Sequence, residues 1–544
     1  MANNDSRRLL KPPLWVDPDD KHIEMPKERD VSELYDRMRN MWLRHIDLGY
    51  TARRMSHRPA LNVNAWDEVP DSTWFTNRIG RRPVTPQELI EGPPGLVPVE
   101  GKWVAEKLKT AGYTPGLRIH DASGQRFMLK FDLPTGPERN SAADRIGSLL
   151  MYAAGYNAPH NSVVTFRAED LAVDEASVYE DPVGRERPMT PNDLSQQLSR
   201  VHRRPDGSFR GMASHFIPGR PVGAFPYWGT RKDDPNDLIP HQLRRELRGL
   251  RVIASWYNHV DVKEVNTYDA YVTEGGRSFV KHYFMDFGST MGSGDFVNGP
   301  CRVGYEYMFD GSAMGKSLVT LGGWQRPWDA FCRIPYPEVG WFEADLFDAA
   351  KWKANYPNLA FVEMDTSDGY WGAKIVTAFT DELVRALAEA GEYGRPEVTR
   401  YVDETFRRRR NKIGTYWLDL VTPLEAFELE TGSTMWTLRF EDIALDRGYA
   451  ISAHRVYHYE VKDALNRASL NRGHTRDIES IQFEPIADIQ LAPTDRWGRT
   501  PLAVVEIQSN RRGEGLALPV RVVIGFEEGH PNPRVLGWEH APKK

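Results

Sequence analysis

The chain contains 544 residues, so two or three domains are expected, because a single hydrophobic core stops growing at about 250–300 residues. Hydrophobic residues make up 40% and charged residues 27%, which excludes a mostly disordered chain, a collagen-like fibre and a disulfide scaffold. The 70 basic residues are outnumbered by 76 acidic ones, and this net charge of −6 argues against a nucleic-acid partner.

Residues 1–100 are predicted to form an extension and not a domain of their own. They are rich in proline near the start, contain an amphipathic helix candidate at 31–48, and continue into an aromatic segment at 66–75. The rings of this segment, which include Trp74 and Phe75, could stack on a ligand. We favour a strap that buries them against a neighbouring domain, because aromatic side chains dominate packed cores.

Residues 101–220 change to strand patterns. Short alternating runs separated by glycine-containing turns predict an antiparallel meander over 102–109, 117–120 and 125–132. Apolar residues at helical spacing then predict a helix that ends at Gly155. Further strands are expected at 162–166 and 209–217.

Residues 221–422 are predicted to be mainly helical. A long helix is expected from Pro240 to about Tyr257, followed by a strand-rich stretch that ends near Gly288. The clearest later helix is expected at 373–390. The tryptophans of this region (Trp324, Trp328 and Trp341) could line a substrate groove or fill the core, and we favour packing.

Beyond Pro423 the pattern becomes β again. Strand-like runs at 436–440, 456–459, 503–507 and 520–524 are separated by turn residues. They predict a separate β-sandwich over residues 423–544.

Three separated motifs carry the chemical information. The segment from His259 to Asn266 reads H-x-D-x-K-x-x-N, and the triplet Asp286-Phe287-Gly288 begins 20 residues after it. Upstream, Lys130 lies on a predicted strand. This combination resembles the protein-kinase-like superfamily. The resemblance implies an α+β fold with a two-lobed kinase-like domain: an N-lobe and hinge at 101–220 and a C-lobe at 221–422.

The resemblance also implies a role for each motif residue in phosphoryl transfer from ATP. That reaction depends on positioning and charge neutralisation. Asp261 would accept the proton of the acceptor hydroxyl, and Lys263 would touch the γ-phosphate. Asn266 and Asp286 would hold Mg²⁺ on the phosphates, and Lys130 would pair with the α- and β-phosphates.

The sequence departs from the common kinase pattern in ways that indicate an atypical kinase, similar to the spore-coat and secretory-pathway kinds. There is no G-x-G-x-x-G, and Gly112 and Gly116 form a sparser loop for the phosphates. Val260 stands where an arginine is common, and no A-P-E segment follows.

Two assignments stay open at this point. The acidic partner of Lys130 could be Glu138, just before the predicted helix, or Asp144 within it; we slightly favour Glu138 for its longer side chain. The segment around His215 and Ile217 follows a strand and resembles a kinase hinge, whose backbone would bind adenine.

The expected function is therefore ATP- and Mg²⁺-dependent phosphoryl transfer to an unknown protein or small-molecule hydroxyl. Two alternatives are a catalytically weak or inactive kinase-fold scaffold and AMP transfer by the same site. The extension or the β-sandwich could mediate assembly into a protein complex.

The cysteines and the N-terminus bear on the compartment. Cys301 and Cys332 are too few for a cysteine-rich zinc site; a single bridge is conceivable, but we favour two unpaired thiols. No run approaches the roughly 20 apolar residues that cross a bilayer, and residues 1–20 lack the apolar region of a signal peptide. The sequence as written predicts a cytoplasmic protein, and an exported or envelope location stays open if a leader has been removed.

Overall fold

A computed structural model describes residues 18–43, 46, 58–109, 114–181, 184–294, 301–487, 489–513 and 515–543. Its α-helices are α1 (Glu33–Met38), α2 (Pro86–Glu91), α3 (Arg139–Ala154), α4 (Pro191–Leu198), α5 (Arg245–Trp256), α6 (Gly311–Val319), α7 (Pro327–Ala330), α8 (Leu359–Glu363), α9 (Thr366–Ala378), α10 (Asp381–Glu389), α11 (Pro396–Leu420) and α12 (Ile443–Asp446). Its strands are β1 (Trp103–Leu108), β2 (Gly116–His120), β3 (Arg126–Phe131), β4 (Asn161–Phe166), β5 (Leu171–Ala172), β6 (Val178–Glu180), β7 (Glu186–Pro188), β8 (Phe209–His215), β9 (Arg220–Pro221), β10 (Thr267–Glu274), β11 (Arg277–Phe284), β12 (Leu424–Thr431), β13 (Trp436–Asp442), β14 (Tyr457–Asp463), β15 (Ser469–Thr475), β16 (Ser480–Phe483), β17 (Arg499–Ser509), β18 (Val520–Glu527) and β19 (Arg534–His540).

The fold is mixed α+β, and its largest sheet contains the predicted meander. The strand order is β4-β8-β3-β2-β1-β6-β7, with β5 also paired to β1. Strands β1, β2, β3, β8 and β4 pair antiparallel, whereas β5 and β6 run parallel to β1. Alternation along β3 buries Phe127, Leu129 and Phe131 in the core of this sheet. Because side chains alternate between faces, Lys130 lies on the opposite face.

Helix α3 follows the meander as predicted, and a strand residue determines where it begins. The carboxylate of Asp132, one residue after β3, accepts hydrogen bonds from the backbone N–H groups of Asn140 and Ser141 (2.8 and 2.9 Å). These are donors of the first helical turn, which have no partner within the helix. Gly155 ends the helix, and the next strand, β4, returns to the sheet.

Two helix predictions fail because local capping overrides the apolar periodicity. The expected helix from Pro240 is a 3₁₀ turn at His241–Leu243 followed by α5, whose first N–H, on Arg245, donates to Asn62 Oδ1 (2.8 Å). The expected single helix at 373–390 is two helices, α9 and α10. The Thr380 hydroxyl caps α10 by accepting from Leu383 N (3.3 Å).

The aromatic strap of the extension is buried as predicted. Trp74 and Phe75 are at most 1% exposed, and the Trp74 ring stacks on His282 with centroids 3.5 Å apart. A Cβ at Gly155 would lie 2.2 Å from the Phe75 ring, so the strap needs a glycine where α3 ends. The helix expected at 31–48 begins as α1 and continues as a π-helical turn at Arg39–Leu43, and most of the remainder lies outside the described residues.

The C-terminal region contains two antiparallel sheets, ordered β12-β13-β16 and β15-β14-β17-β18-β19. Buried residues of both sheets, such as Leu438 and Val505, belong to one hydrophobic cluster. This cluster is separate from the one formed by the helices around Trp256 and Trp371. The boundary near residue 422 stays a prediction.

Two other features complete the architecture. Cys301 and Cys332 form a disulfide with a Cα–Cα distance of 5.4 Å, so the expectation of two unpaired thiols is wrong. The pairing depends on the fold, because 31 residues separate the two positions in sequence. Within the described ranges, no helix is both long enough and apolar enough to cross a bilayer.

A buried ion network joins the strap, the helices and the C-terminal sheets. The carboxylate of Asp67 accepts from Arg245 (2.7 Å) and contacts His540 Nδ1 on β19 (2.8 Å). Arg245 also pairs with Asp368 on α9 (3.3 Å). Arg245, Asp67 and Asp368 are at most 5% exposed. One strap residue therefore contacts elements that are far apart in the sequence.

We expect Asp67→Asn to lower the free energy of unfolding by about 3 kcal/mol, because it removes a carboxylate from a buried arginine. Asparagine tolerates the left-handed backbone of this position (φ 55°), so the change tests the charge and not the conformation. Asp345→Asn, in an exposed pair with Arg408, should cost less than about 1 kcal/mol. Urea unfolding of both variants checks this; equal midpoints would contradict it.

Candidate functional site

A buried lysine joins the large sheet to helix α3 and to the Asp286-Phe287-Gly288 turn. Lys130 Nζ donates to Asp144 Oδ2 on α3 (3.1 Å) and to Asp286 Oδ1 (2.7 Å). The Asp144 side chain is 1% exposed, whereas that of Asp286 is 47% exposed. Asp144 is therefore a structural partner of Lys130, and Asp286 can also meet a ligand.

Lys130 and Asp286 keep their charges at neutral pH. Burial by itself would lower the pKa of Lys130, but Asp144 and Asp286 outweigh it and raise that pKa above its usual value. Lys130 holds the pKa of Asp286 well below its usual range, and Lys109 and Lys263 act in the same direction. Burial raises the pKa of Asp144, opposed by Lys130. Asp286 thus lies as an ionised carboxylate among three lysines.

Helix α3 also holds the turn that carries Asp286. Phe287 N donates to Asp144 Oδ1 (2.8 Å), and Asn140 Nδ2 donates to Gly288 O (2.8 Å). A Cβ at Gly147 would lie 2.4 Å from Phe287 Cβ, so a glycine on α3 admits the phenylalanine. Asp286 has a φ of 63°, a left-handed conformation that directs the backbone away from the end of β11.

The second motif forms a loop that is bonded to the same turn. Asn266 Nδ2 donates to the carboxylate and to the backbone O of Asp261 (3.0 and 2.9 Å). Lys263 Nζ lies 3.1 Å from the same carboxylate. Met285 N donates to Asn266 O (3.0 Å), one residue before Asp286. The structure therefore brings Asp261, Lys263, Asn266 and Asp286 together.

His259 connects this loop to the turn by packing. It is 2% exposed, and its ring lies edge-on to Phe287 with centroids 5.8 Å apart. Burial lowers the pKa of His259 to about 4, so the ring is neutral at physiological pH. His259 therefore supports the loop by packing and does not offer a positive charge to a ligand.

Lys109 is a site residue that the sequence analysis missed. It follows β1, its N–H donates to Gly116 O (2.9 Å), and its Nζ donates to Thr114 O (3.3 Å). Gly116 pairs with Lys130 across β2 and β3, so Lys109, Gly116 and Lys130 form a row across the sheet. Burial lowers the pKa of Lys109, and the neighbouring Lys130 contributes. The register of the meander would have revealed this row.

The glycine loop is described only in part. A Cβ on Gly116 would lie 2.6 Å from Leu129 O, which explains the glycine by a close backbone approach. Gly112 lies outside the described residues. Its assignment to phosphate binding stays a prediction.

The preference for Glu138 as the partner of Lys130 is wrong. Glu138 lies before α3 in a left-handed conformation (φ 64°), and its carboxylate accepts from Gly394 N (2.9 Å). It also lies 3.8 Å from Arg204. The close packing of α3 on the sheet lets the shorter side chain of Asp144 reach Lys130 instead.

The predicted hinge has limited hydrogen-bonding capacity. His215 N donates to His160 O (2.9 Å), and Phe216 N donates to Arg126 O (3.2 Å). These two N–H groups are therefore engaged within the protein. Ile217 is partly buried against the cluster of Ala270 and its neighbours. A contact between adenine and His215 or Ile217 stays a prediction.

The N-terminal extension lies over the loop that carries Asp261. Glu33 on α1 accepts from Lys263 Nζ (3.0 Å), and Tyr356 OH donates to Asp36 Oδ2 on the same helix (2.6 Å). Burial by itself would lower the pKa of Lys263, but Asp261 and Glu33 raise it overall. In this structure Lys263 is shared between the loop and the extension.

The oxygen donors of the site suit a magnesium ion. Mg²⁺ is commonly held by one or two carboxylates together with substrate phosphates. Asp286 offers a half-exposed, ionised carboxylate, and the side-chain oxygen of Asn266 is a further candidate ligand. Among the described residues, no group of three or more His, Cys, Asp or Glu side chains could hold a metal ion. A magnesium ion here would therefore also need oxygen ligands from the substrate phosphates.

Comparisons with known proteins give no family assignment. No family model matches the chain, and no curated protein matches it. Among solved structures, the Golgi casein kinase matches with a TM-score of 0.30 and 9% identity over 75% of this chain and 94% of that one. The same kinase with Mn/ADP bound matches with a TM-score of 0.30 and 10% identity over 74% and 94%. A similarity of this size does not establish the fold, and the site stands on its own geometry.

We expect Lys130→Ala to make stability depend on pH. Without Lys130 the pKa of the buried Asp144 rises further, so the folded state binds a proton that the unfolded state releases above about pH 4. Stability should therefore fall as pH rises, with a loss relative to the parent of about 3 kcal/mol at pH 7.5 and less at pH 4.5.

Urea unfolding at the two pH values measures this effect. Lys130→Ala combined with Asp144→Ala serves as the control, since it removes both charges and should recover part of the loss at pH 7.5. A Lys130→Ala loss that is the same at both pH values would show that the two charges are not coupled.

Proposed function

We propose that the chain is an ATP- and Mg²⁺-dependent phosphotransferase with a protein-kinase-like site, acting on a hydroxyl acceptor. The observation that carries this proposal is the double pairing of Lys130 with Asp144 and Asp286, bonded through Met285 and Asn266 to the loop of Asp261. Phosphoryl transfer needs such a set: a fixed cation for the phosphates, a carboxylate for a metal, and a second carboxylate for the acceptor.

Each residue has a separate part in the proposed reaction. Lys130 orients the α- and β-phosphates, and Asp286 with Asn266 would hold Mg²⁺, which neutralises phosphate charge when bound. Asp261 accepts the proton of the acceptor hydroxyl as its oxygen bonds to the γ-phosphorus and ADP leaves. Lys263 stabilises the negative charge of the group in transfer.

Lys109 supplies charge that the sparse glycine loop lacks. In the absence of a G-x-G-x-x-G, fewer backbone N–H groups are expected around the phosphates. A second lysine in the same row as Lys130 offers an alternative donor for a β- or γ-phosphate. We therefore include Lys109 among the proposed nucleotide-binding residues.

The division into lobes belongs to the same proposal. The N-lobe and hinge would comprise residues 101–220, and the C-lobe residues 221–422. The large sheet has a hydrophobic cluster of its own, whereas α3, which lies within residues 101–220, packs in the cluster of the later helices. ATP would bind between them, where Lys130 meets Asp286.

A second candidate is a kinase-like binding protein with weak or no activity. The observation that favours it is the ion pair between Glu33 and Lys263, which occupies the residue assigned to the γ-phosphate. Incubation with γ-labelled and α-labelled ATP and Mg²⁺ separates the candidates. Transfer of the γ-label supports phosphorylation, transfer of the α-label supports AMP transfer, and transfer of neither supports the binding protein.

We expect ATP with Mg²⁺ to raise the melting temperature, because a ligand that binds only the folded state stabilises it. Asp286→Ala should abolish the metal-dependent part of the shift. The matched control is Asp345→Ala, which removes an exposed carboxylate and should leave the shift unchanged. Differential scanning fluorimetry at millimolar ATP gives the result. No shift in the parent protein would refute the nucleotide site.

We expect Asp261→Asn to lower the turnover by about 10²–10⁴-fold while nucleotide binding is nearly unchanged, since Asp261 is assigned to the acceptor and not to the phosphates. Lys109→Ala should instead weaken nucleotide binding. Steady-state kinetics and nucleotide titration of both variants check the division of roles. An Asp261→Asn variant with parental turnover would remove Asp261 from the chemistry and favour the binding protein.

A further inference from the structure

A cavity is lined by Arg251 of α5 and by residues of the segment between β11 and α9. It has a volume of about 530 Å³, within the range of small-molecule sites. Aromatic side chains contribute much of its wall: Tyr305, Tyr307, Trp324, Trp328 and Trp352. None of these residues belongs to the motifs that define the proposed nucleotide site.

The aromatic wall is held in place by its own contacts. Tyr305 and Trp328 are stacked with centroids 5.4 Å apart and an angle of 21°, and Trp324 meets Trp328 edge-on at 6.2 Å. Trp328 Nε1 donates to Glu306 Oε1 (2.8 Å), and Glu306 is 8% exposed. Rings fixed in this way bind a flat ligand face at little cost in side-chain entropy.

The wall of the cavity carries both carboxylates and cations. Each lining carboxylate contacts a cation, in the pairs Glu306–Arg326, Asp348–Lys351 and Asp310–Lys353. Arg251 donates to the carbonyl of Ala350 (2.9 Å), and Lys316 lies over the Trp324 ring. A neutral ligand that carries hydroxyl groups can contact these ion pairs without displacing either partner.

We propose that this cavity binds a neutral saccharide. A sugar ring has an apolar C–H face that packs on a tryptophan or tyrosine ring. Its hydroxyl groups both donate and accept, so one hydroxyl can donate to a carboxylate such as Asp310 while accepting from its partner, Lys353. An aliphatic chain would remove water from these ion pairs without replacing its hydrogen bonds, at a cost in free energy.

The cavity is close to the loop that carries Asp261. Two residues after Lys353, which lines the cavity, Asn355 N donates to Val260 O (2.8 Å). Two residues of extended chain span at most about 7 Å. A smaller cavity of about 150 Å³ shares Trp352 and Lys353 and continues to Tyr356. The saccharide site therefore extends toward the side of Asp261.

This position makes a saccharide hydroxyl the acceptor, an assignment that rests on the proposed function. The hydroxyl oxygen would form a bond to the γ-phosphorus, and the bond from that phosphorus to the β–γ bridging oxygen would break. The hydroxyl proton would pass to Asp261, and the products would be a sugar phosphate and ADP.

Binding is tested on the full-length protein without nucleotide. Isothermal titration with maltotriose, cellotriose and triacetylchitotriose should show saturable binding of at least one. Trp328→Ala should weaken that binding by 10-fold or more, whereas Trp497→Ala, in the distant turn before β17, should leave it unchanged. Glu306→Gln, which keeps the size of the side chain, should weaken it even if Trp328→Ala does not fold.

The outcomes separate the two proposals. No binding of any trisaccharide, or unchanged binding in both Trp328→Ala and Glu306→Gln, would overturn the saccharide site even if ATP still raises the melting temperature. Preference for a tyrosine-rich peptide over all three sugars would overturn it as well. Sugar binding without transfer of the γ-label would support the site and remove only its acceptor role.

Discussion

A lysine ammonium buried between a sheet and a helix must be paired, and the architecture around Lys130 follows from this requirement. Its position on β3 turns it away from the apolar face of the large sheet. Asp132 begins α3 at a point that brings Asp144 to Lys130, and Asp144 in turn receives the N–H of Phe287 and so fixes Asp286. One ion network thus links a strand, a helix and a turn that are up to 156 residues apart.

The N-terminal extension and the last strand contact the elements that position the His259–Asn266 loop. The strap residue Asp67 pairs with Arg245 at the start of α5, the helix that leads into the His259 loop, and also contacts His540 in the last strand. Helix α1 contacts the same loop through Glu33 and Lys263. The extension therefore contacts the helix that leads into the loop through Asp67, and it contacts the loop itself through Glu33. The Glu33 contact engages Lys263, the residue proposed to bind the γ-phosphate. Both contacts place a carboxylate of the extension beside a cation that is largely removed from water.

The proposed nucleotide site and the aromatic cavity differ in how they recognise ligands. Around Asp286 three lysines lower the pKa of its carboxylate, and these cations are the groups proposed to meet phosphate charge. Around Trp328 each lining carboxylate is paired with a cation, and aromatic rings supply much of the wall. The short segment from Lys353 to Asn355 joins the two sites. Phosphoryl transfer to a sugar needs both kinds of site, one for the charged donor and one for the neutral acceptor.

The amino-acid sequence by itself indicated the meander, α3, four strands of the C-terminal region (β13, β14, β17 and β18) and the motif residues from His259 to Asp286. Alternation, helical spacing and short motifs are local, so they can be seen without the fold. Capping divided two expected helices, because Asn62 and Thr380 satisfy end groups that periodicity does not describe. Only the tertiary structure decided that Asp144 and not Glu138 reaches Lys130, that Lys109 joins the site, and that the two cysteines pair. Each of these depends on the distance between elements, and packing sets that distance.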